Sequence, residues 1–569
     1  MNALKLNQPP PQDLQERSSL CFMQLTRLGD IIQLLTSIRN LDLDREKFKL
    51  SIIVREKFGR PLESELSKYF ENIYFLDIPK WTNGLKKTSS LKKTLLQFLE
   101  SISTQKIDHF FNLSFSKSSA YLASLITASH KSGPYFNAAE SFSIKDKWSR
   151  YIYSNVMGTS MGSFNLVDIY EQIIRGSSKG TRYRPPPKLV TLPQIVIHPF
   201  ASSDKKRWKA SKWHEVIFKI SRDFPDFTII VVGSKDDLKL ATPLIDSELL
   251  KNYGKKIKFE IGKKSIVELQ EILKSSILFI GHDSMVGHLA SYHGVRTITV
   301  SLGTSRAIET TPYGSGNLNI EPKTSCYPCF PSDQCSEFKC HSDIPFQVVT
   351  EVVSLSLKEA QLTPLIIENN LSPFHLSRLT INRSYIDRYN YFSLSNMTED
   401  EASSSATFKH LYRVTWSYFL DEKELDLPIP KLSYDVYSEL CEYLNPISHI
   451  ISLCQYGQHF SKEVIEEISK ETSRLEQVKN ISEKIGEIDT LLHTVGKNYR
   501  YLNPPIDYFS LVKMDLKGKD IVSISESSFH AYQESYLFFK IMKNLLNIVL
   551  ENTQYKKQEK NKPKENLDV

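Results

Sequence analysis

Three short stretches of this chain combine acids, hydroxyls and cations where an apolar strand-like run gives way to a helical one. The first is Gln24-Leu25-Thr26-Arg27-Leu28-Gly29-Asp30. Gly29 permits a tight turn there, and Asp30 is held at a helix N-terminus, where a carboxylate is favoured. On these residues alone Asp30 reads either as a helix-terminal acid or as a group placed to accept a proton. The second stretch runs from His198 to Trp208 and reads HPFASSDKKRW. Its small hydroxyls Ser202 and Ser203, followed by Lys206, suit a pyrophosphate: hydroxyls and amides approach the oxygens while lysine neutralises charge developing on a leaving group. The competing account is a solvated basic loop anchored by Trp208. The third stretch, GHDSMVGHLA from Gly281, places Asp283 and Ser284 as N-caps, so the helix would present free N–H groups to a phosphate, with His288 one turn further on. A single helical histidine is more often a packing or surface residue than a functional one.

Two further groups carry chemistry. Cys326, Cys329, Cys335 and Cys340 fall within fifteen residues, spaced C-x2-C-x5-C-x4-C. Four thiolates in reach of one another would close a tetrahedral zinc site or hold iron, although only the first half has good chelate spacing, and four reduced thiols in a loop is the alternative. Lys86, Lys87, Lys92 and Lys93 surround Leu91, Leu95 and Leu99. They would meet phosphates on a lipid-linked acceptor, or form an ordinary solvated helix face.

The elements that must position these groups read as a doubly wound α/β pattern. Apolar runs at 20–25, 50–54, 73–76 and 110–113 alternate with helical periodicity, and Ile31, Ile32, Leu34, Leu35 and Ile38 give the first crossover helix its buried face. The runs are continuous, as strands buried on both faces should be. GSSKGTRYRPPPK from Gly176 reads as an interdomain linker. Beyond it the rhythm restarts with strands at 195–198, 227–232, 257–261, 277–280 and 296–300, and a capping box of Ser265 with Glu268. The expected division is a flexible 1–17, a first Rossmann-like domain at 18–175, a linker at 176–190 and a second such domain with the cysteines at 191–355. A helical region follows at 356–555, then a disordered tail at 556–569. Within the helical region Val464, Ile468, Leu475, Val478, Ile481, Ile485, Ile488 and Leu492 predict one long amphipathic helix, and 536–550 a packed one. Two facing α/β halves put a cleft at the carboxyl ends of their strands.

Composition narrows the class. The 569 residues are 40% hydrophobic and 24% charged, with a net charge of +7, and the mean hydropathy is −0.30. No apolar stretch approaches the ~20 residues of a membrane span. The N-terminal residues lack the pattern of a secretory signal, so a cytoplasmic protein is expected. The absence of G-x-G-x-x-G disfavours a dinucleotide-dependent oxidoreductase. The lack of a basic stripe interleaved with aromatics disfavours a nucleic-acid partner.

Taken together, the three stretches resemble glycosyltransferase family 9, the bacterial ADP-heptose heptosyltransferases of the lipopolysaccharide and autotransporter types. The resemblance covers about residues 18–350, including SLGTSRAIETTPYG from Ser301. It implies the GT-B fold, two Rossmann-like domains facing a cleft. It also implies an inverting transfer in which Asp30 deprotonates the acceptor hydroxyl. Lys206, two residues before Trp208 in the K-x-W element, would contact the nucleotide phosphates. Asp283, Ser284 and His288 match D-[ST]-G-x-x-H, except that Met285 replaces the usual glycine. Asp236, in the stretch Gly233 to Asp237, falls where the ribose hydroxyls would be held.

The scheme needs no catalytic metal, while the iron-binding finger of autotransporter-type members implies structural iron or zinc at the cysteines. The partners implied are a nucleotide-diphosphate sugar, ADP-heptose first, and a lipid-linked acceptor in the lipopolysaccharide core or another surface glycan, with peripheral contact at the inner membrane. The helical extension raises a second expectation, a protein O-heptosyltransferase acting on a surface or flagellar protein. A third is an inactive nucleotide-sugar-binding scaffold.

Overall fold

The computed structural model describes residues 17–77, 88–137, 141–158, 161–176, 183–186, 191–253, 256–359, 362–398, 401–470, 475–516, 518 and 520–553. Most of the linker read at 176–190, together with Lys86, Lys87 and the tail from 554, lies outside them.

Two parallel sheets form the first of two compact units, which comprises residues 1–149 and 164–399. The first sheet contains β1 (Ser18–Gln24), β2 (Phe48–Arg55), β3 (Asn72–Leu76), β4 (His109–Asn112) and β5 (His130–Ser132), in the order β3-β2-β1-β4-β5. Its strand interiors, such as Phe22, Ile52 and Phe111, are fully buried, because helices cover both faces. Helix α1 (Leu28–Leu41) follows β1 and buries Ile31, Ile32, Leu34, Leu35 and Ile38 as its periodicity predicts. Helix α2 (Leu166–Arg175) packs back on α1: Ser37 donates to the Val167 carbonyl at 3.0 Å and Asn40 to Glu171 at 2.7 Å.

The second sheet holds β6 (Gln194–His198), β7 (Thr228–Gly233), β8 (Ile257–Ile261), β9 (Leu278–His282), β10 (Arg296–Val300) and β11 (Leu318–Pro322). Its parallel order is β8-β7-β6-β9-β10-β11. Helices α3 (Ala210–Asp223), α4 (Leu238–Ile245), α5 (Ile266–Lys274) and α6 (Met285–Tyr292) make the crossovers. The sheet continues past residue 355, where a mainly helical region without strands was expected. β12 (Leu379–Ile386) and β13 (Phe392–Asn396) add two antiparallel strands at the edge beside β11. Their alternating burial on a single edge is too short and too polar to stand out as a strand signal.

Helix α2 also ties the two sheets together. Asp168 accepts from the Tyr313 hydroxyl at 2.6 Å and from the Phe392 N–H at 2.9 Å, all within the buried interior.

The second unit comprises residues 150–163 and 400–569 and is helical. Its core gathers Tyr151, Tyr508 and Phe538 around the buried Trp416, whose indole donates to Asn155 at 3.2 Å. The single long helix expected from 464 to 492 is instead two helices, α7 (Leu444–Ile468) and α8 (Leu475–Asn498). Val464 and Ile468 of the first share one apolar cluster with Val478, Ile481 and Ile485 of the second. A hairpin folds the continuous stripe onto itself, and periodicity alone is blind to that break. Helix α9 (Ile521–Asn552) contains the apolar run expected at 536–550.

Candidate active site

In each sheet the strand order reverses beside the first strand, and the loops that leave those reversal points carry the chemistry. Asp30 follows β1, Ser202 to Lys206 follow β6, and Asp283 to His288 follow β9. This is where ligands of doubly wound sheets gather.

Asp30 is the third residue of α1, half-buried, and one of its oxygens accepts the Arg27 N–H at 3.0 Å. The carboxylate thus caps its own helix, which fixes its orientation, and the second oxygen carries no hydrogen bond among the described residues. Beneath it lies the buried Tyr170, whose hydroxyl accepts from Gln24 at 3.2 Å. Burial first, and the Asp30 charge second, push that hydroxyl well above the ordinary tyrosine range. Gly29 does not adopt the left-handed conformation that a tight turn would ask of glycine. It matters for approach: a Cβ built there would stand 3.4 Å from the His288 ring and 3.9 Å from the Met285 Cα. The β1 turn therefore meets the start of α6 nearly backbone to side chain. Arg27 adds a second bridge, donating to Ser202 at 3.4 Å.

At the opposite wall Lys206 donates to Asp283 at 2.6 Å, with both side chains largely buried. His288 stands 3.7 Å from the other oxygen of Asp283. Burial alone would raise the Asp283 carboxyl, but the Lys206 charge, helped by the nearby His288 ring, outweighs it and holds the group well below the usual carboxylate range. Asp283 therefore stays ionised and anchors Lys206. Ser284 occupies the N-cap of α6 without capping it. Its hydroxyl is buried and has no partner among the described residues. The N–H groups of Met285 and Val286 lack intrahelical acceptors by position. A hydroxyl and two N–H groups thus stand at the start of α6, next to the residue that holds the Lys206 ammonium, and these are the kinds of group an oxyanion requires.

A residue that the sequence reading passed over holds this wall together. His282 is fully buried, and its Nε2 accepts both the Trp208 backbone N–H at 3.0 Å and the Trp213 indole N–H at 3.1 Å. Its Nδ1 therefore carries the proton and donates to the Val300 carbonyl at 3.1 Å. Burial pushes its pKa down to about 3. This neutral ring pins the Lys206 loop to the end of β9. Its signal in the sequence was only its place beside Asp283.

Other expected residues fall differently. Ser203 is exposed at the start of the short turn that holds Lys206. Asp236 is exposed, while its neighbour Asp237 caps the turn by accepting from Ser234 N–H at 2.8 Å. Lys92 and Lys93 are exposed on the helix Thr88–Ser103, whose Leu95 and Leu99 pack against the first domain's core.

The cysteine segment lies against the Lys206 loop. Lys205 donates to the carbonyls of Phe330 and Pro331, each at 3.3 Å, and to that of Asp333, and its own carbonyl accepts from His341 at 2.8 Å. Gly303, at φ +57°, passes so close that a Cβ would sit 2.5 Å from the Lys205 carbonyl oxygen. The four thiols sense one another: burial, then Cys326, Cys340 and Cys335, push the Cys329 thiol up to about 11. Among the described residues no three ligating side chains are drawn onto one point.

Residues 95–341 match the model of glycosyltransferase family 9 (heptosyltransferase). Lipooligosaccharide heptosyltransferase 2 of Campylobacter jejuni is 26% identical over 167 residues, which is 28% of this chain and 51% of that protein. The chain thus matches about half the length of that curated relative. Among solved structures, a glycosyl transferase family 9 protein from Veillonella parvula shares 16% identity, covering 61% of this chain and 99% of that one with a TM-score of 0.46. The ADP-heptose lps heptosyltransferase II of E. coli shares 14%, covering 60% and 100%, with a TM-score of 0.44.

Proposed function

We propose that this chain, whose residues 95–341 match the model of glycosyltransferase family 9, is an inverting transferase moving a sugar, heptose first, from a nucleotide-diphosphate donor to an acceptor hydroxyl. The observation that carries this reading is the Lys206–Asp283 ion pair, with the unpartnered Ser284 hydroxyl next in the chain and the turn that bears Asp30 close to His288 of the same helix. The donor diphosphate binds at the start of α6, its oxygens taking the Ser284 hydroxyl, the free N–H groups and the Lys206 ammonium. Asp283 holds Lys206 and makes no direct contact, since a carboxylate would repel the diphosphate. The acceptor oxygen attacks the anomeric carbon and passes its proton to Asp30. The bond from that carbon to the diphosphate oxygen breaks, and the nucleoside diphosphate leaves with the electron pair, stabilised by Lys206 and the helix start. Asp236 extends toward the ribose and Ser202 and Ser203 toward the phosphates. Lys92 and Lys93, with Lys86 and Lys87, meet the acceptor.

Asp30→Asn tests the assignment. It should abolish transfer from ADP-heptose while nucleotide binding, measured by calorimetry, is retained; an active variant would sink the base.

Among the described residues no helix is long and apolar enough to cross a membrane, which accords with an acceptor met at the inner-membrane surface from the cytoplasmic side. The discrete helical unit favours a second acceptor class, a protein docked on it. Labelled donor entering lipid supports the first class, and label entering protein the second. The cysteines are assigned to structural zinc or iron: four thiols within electrostatic range suit a thiophilic cation that would deprotonate them and draw them together. Elemental analysis of the purified chain and of its Cys329→Ser variant tests that assignment. No step of the transfer uses this metal.

A further inference from the structure

The loop that carries Ser202, Ser203 and Lys206 has a second face. Its residues Pro199, Phe200, Asp204, Arg207 and Trp208 wall a cavity of about 720 Å³, closed by the start of α3, by α4 and by residues 336–342. None of the residues assigned above to the sugar donor lines it.

Charge in this cavity is unbalanced. Its two acids are already neutralised, Asp204 by Arg207 and Glu337 by Lys339. Lys209, Lys212 and Lys239 remain, and none meets a carboxylate at ion-pair distance among the described residues. Lys212 donates to the His341 carbonyl and, at 2.9 Å, to the Ile344 carbonyl, which leaves one ammonium hydrogen free, and it lies 4.9 Å from the centre of the Trp208 ring.

Helix α3 starts among these lysines and adds to the excess. Lys209 is its N-cap, makes no capping bond, and the first turn contains no acid. Helix starts ordinarily carry Ser, Thr, Asp or Asn at the cap and acids behind it, because the dipole's positive end repels cations. An arrangement that opposes this rule on every count is relieved by an anion. The wall is also aromatic. Trp208, only 2% exposed, keeps an indole N–H without an acceptor among the described residues, and Phe200 and Phe338 line the same space. The volume exceeds what inorganic phosphate needs and falls in the range of small-molecule sites, about 300–1,000 Å³.

The geometry points to a second ligand site here, separate from the donor cleft, for a small molecule that joins a phosphoryl or pyrophosphoryl group to a flat ring, as a nucleoside phosphate does. The phosphoryl group is met by Lys209, Lys212, Lys239 and the N–H groups of Ala210 and Ser211, and the ring by the aromatic wall. Binding itself is independent of the catalytic reading. Its consequence, bracing the back of the loop that positions Lys206, rests on that reading.

The test is calorimetric titration of the full-length chain with ADP, UDP and inorganic pyrophosphate. It compares wild type, the K209E/K239E double variant and the donor-cleft variant K206Q. Lys209 and Lys239 are exposed, so the double variant should fold as wild type does. Two sites per chain are expected for at least one nucleotide. K206Q should weaken one, and K209E/K239E the other by about tenfold or more, as loss of charge-assisted bonds implies. A site weakened by K209E/K239E alone, with no response to K206Q, supports the second site and counts against the donor reading. No response to K209E/K239E with any probe overturns the second site, as does a single site weakened by both variants.

Discussion

The pair Lys206 and Asp283 illustrates what one residue can do for another. Each is largely buried, and each would be a costly isolated charge. Lys206→Met should therefore lower unfolding free energy by about 3 kcal/mol, because Asp283 is left ionised without its partner. Lys206→Gln, which keeps a donor, should cost less. Both should reduce turnover with ADP-heptose, so denaturant titration beside kinetics separates the two effects. If both variants were as stable as wild type, the ion pair would be an incidental contact. The motif was legible: Lys206, Asp283, Ser284 and His288 stood out by type and spacing. Their division of labour was not, since only packing turned Asp283 from a donor contact into the anchor of Lys206.

At the scale of elements, the Lys206 loop is held from three sides: by His282 at the end of β9, by Gly303 after β10, and by the cysteine segment. Gly303 needs both its positive φ and its missing side chain. Gly303→Ala should destabilise the chain by about 1–3 kcal/mol, the usual scale of such backbone strain. Because the displaced neighbour is Lys205, it should also raise KM for the donor more than it lowers kcat. Melting temperature and a KM–kcat split are the readouts, and a change in melting alone would show that the loop tolerates the shift. The helices and strands of the two Rossmann-like domains were legible because their apolar runs are long and buried on both faces. The added strands β12 and β13 and the break between α7 and α8 were not, because pairing partners and hairpins are not encoded in local periodicity.

For the whole molecule, several histidines are fully or half-buried in surroundings that favour the neutral ring. Burial pushes His282 and His293 to about 3, and His109, His198 and His410 to about 4. A folded-state value depressed below the unfolded ~6.5 means that the unfolded chain binds protons more readily. The associated stability is complete above pH ~6.5 and is lost as pH falls from there toward the folded values. At pH 5 each such ring forfeits about 2 kcal/mol, since one pKa unit corresponds to about 1.4 kcal/mol. Denaturation midpoints should therefore drop steeply between pH 7 and pH 5. Replacing His282 with Gln should flatten that drop while lowering the midpoint at pH 7. A midpoint indifferent to pH across this interval would contradict neutral burial.

Asp30, the first βα turn and the strand-to-helix starts at Lys206 and Ser284 were determined by the chain itself, because a buried strand ending in a glycine, an acid or a hydroxyl is a local pattern. The approach of Gly29 to His288, the pin at His282 and the cation-lined cavity behind the Lys206 loop were decided only by the tertiary structure. Each joins residues from 74 to 259 positions apart or from separate elements. Such contacts depend on how two sheets and the cysteine segment pack, which no window of sequence contains.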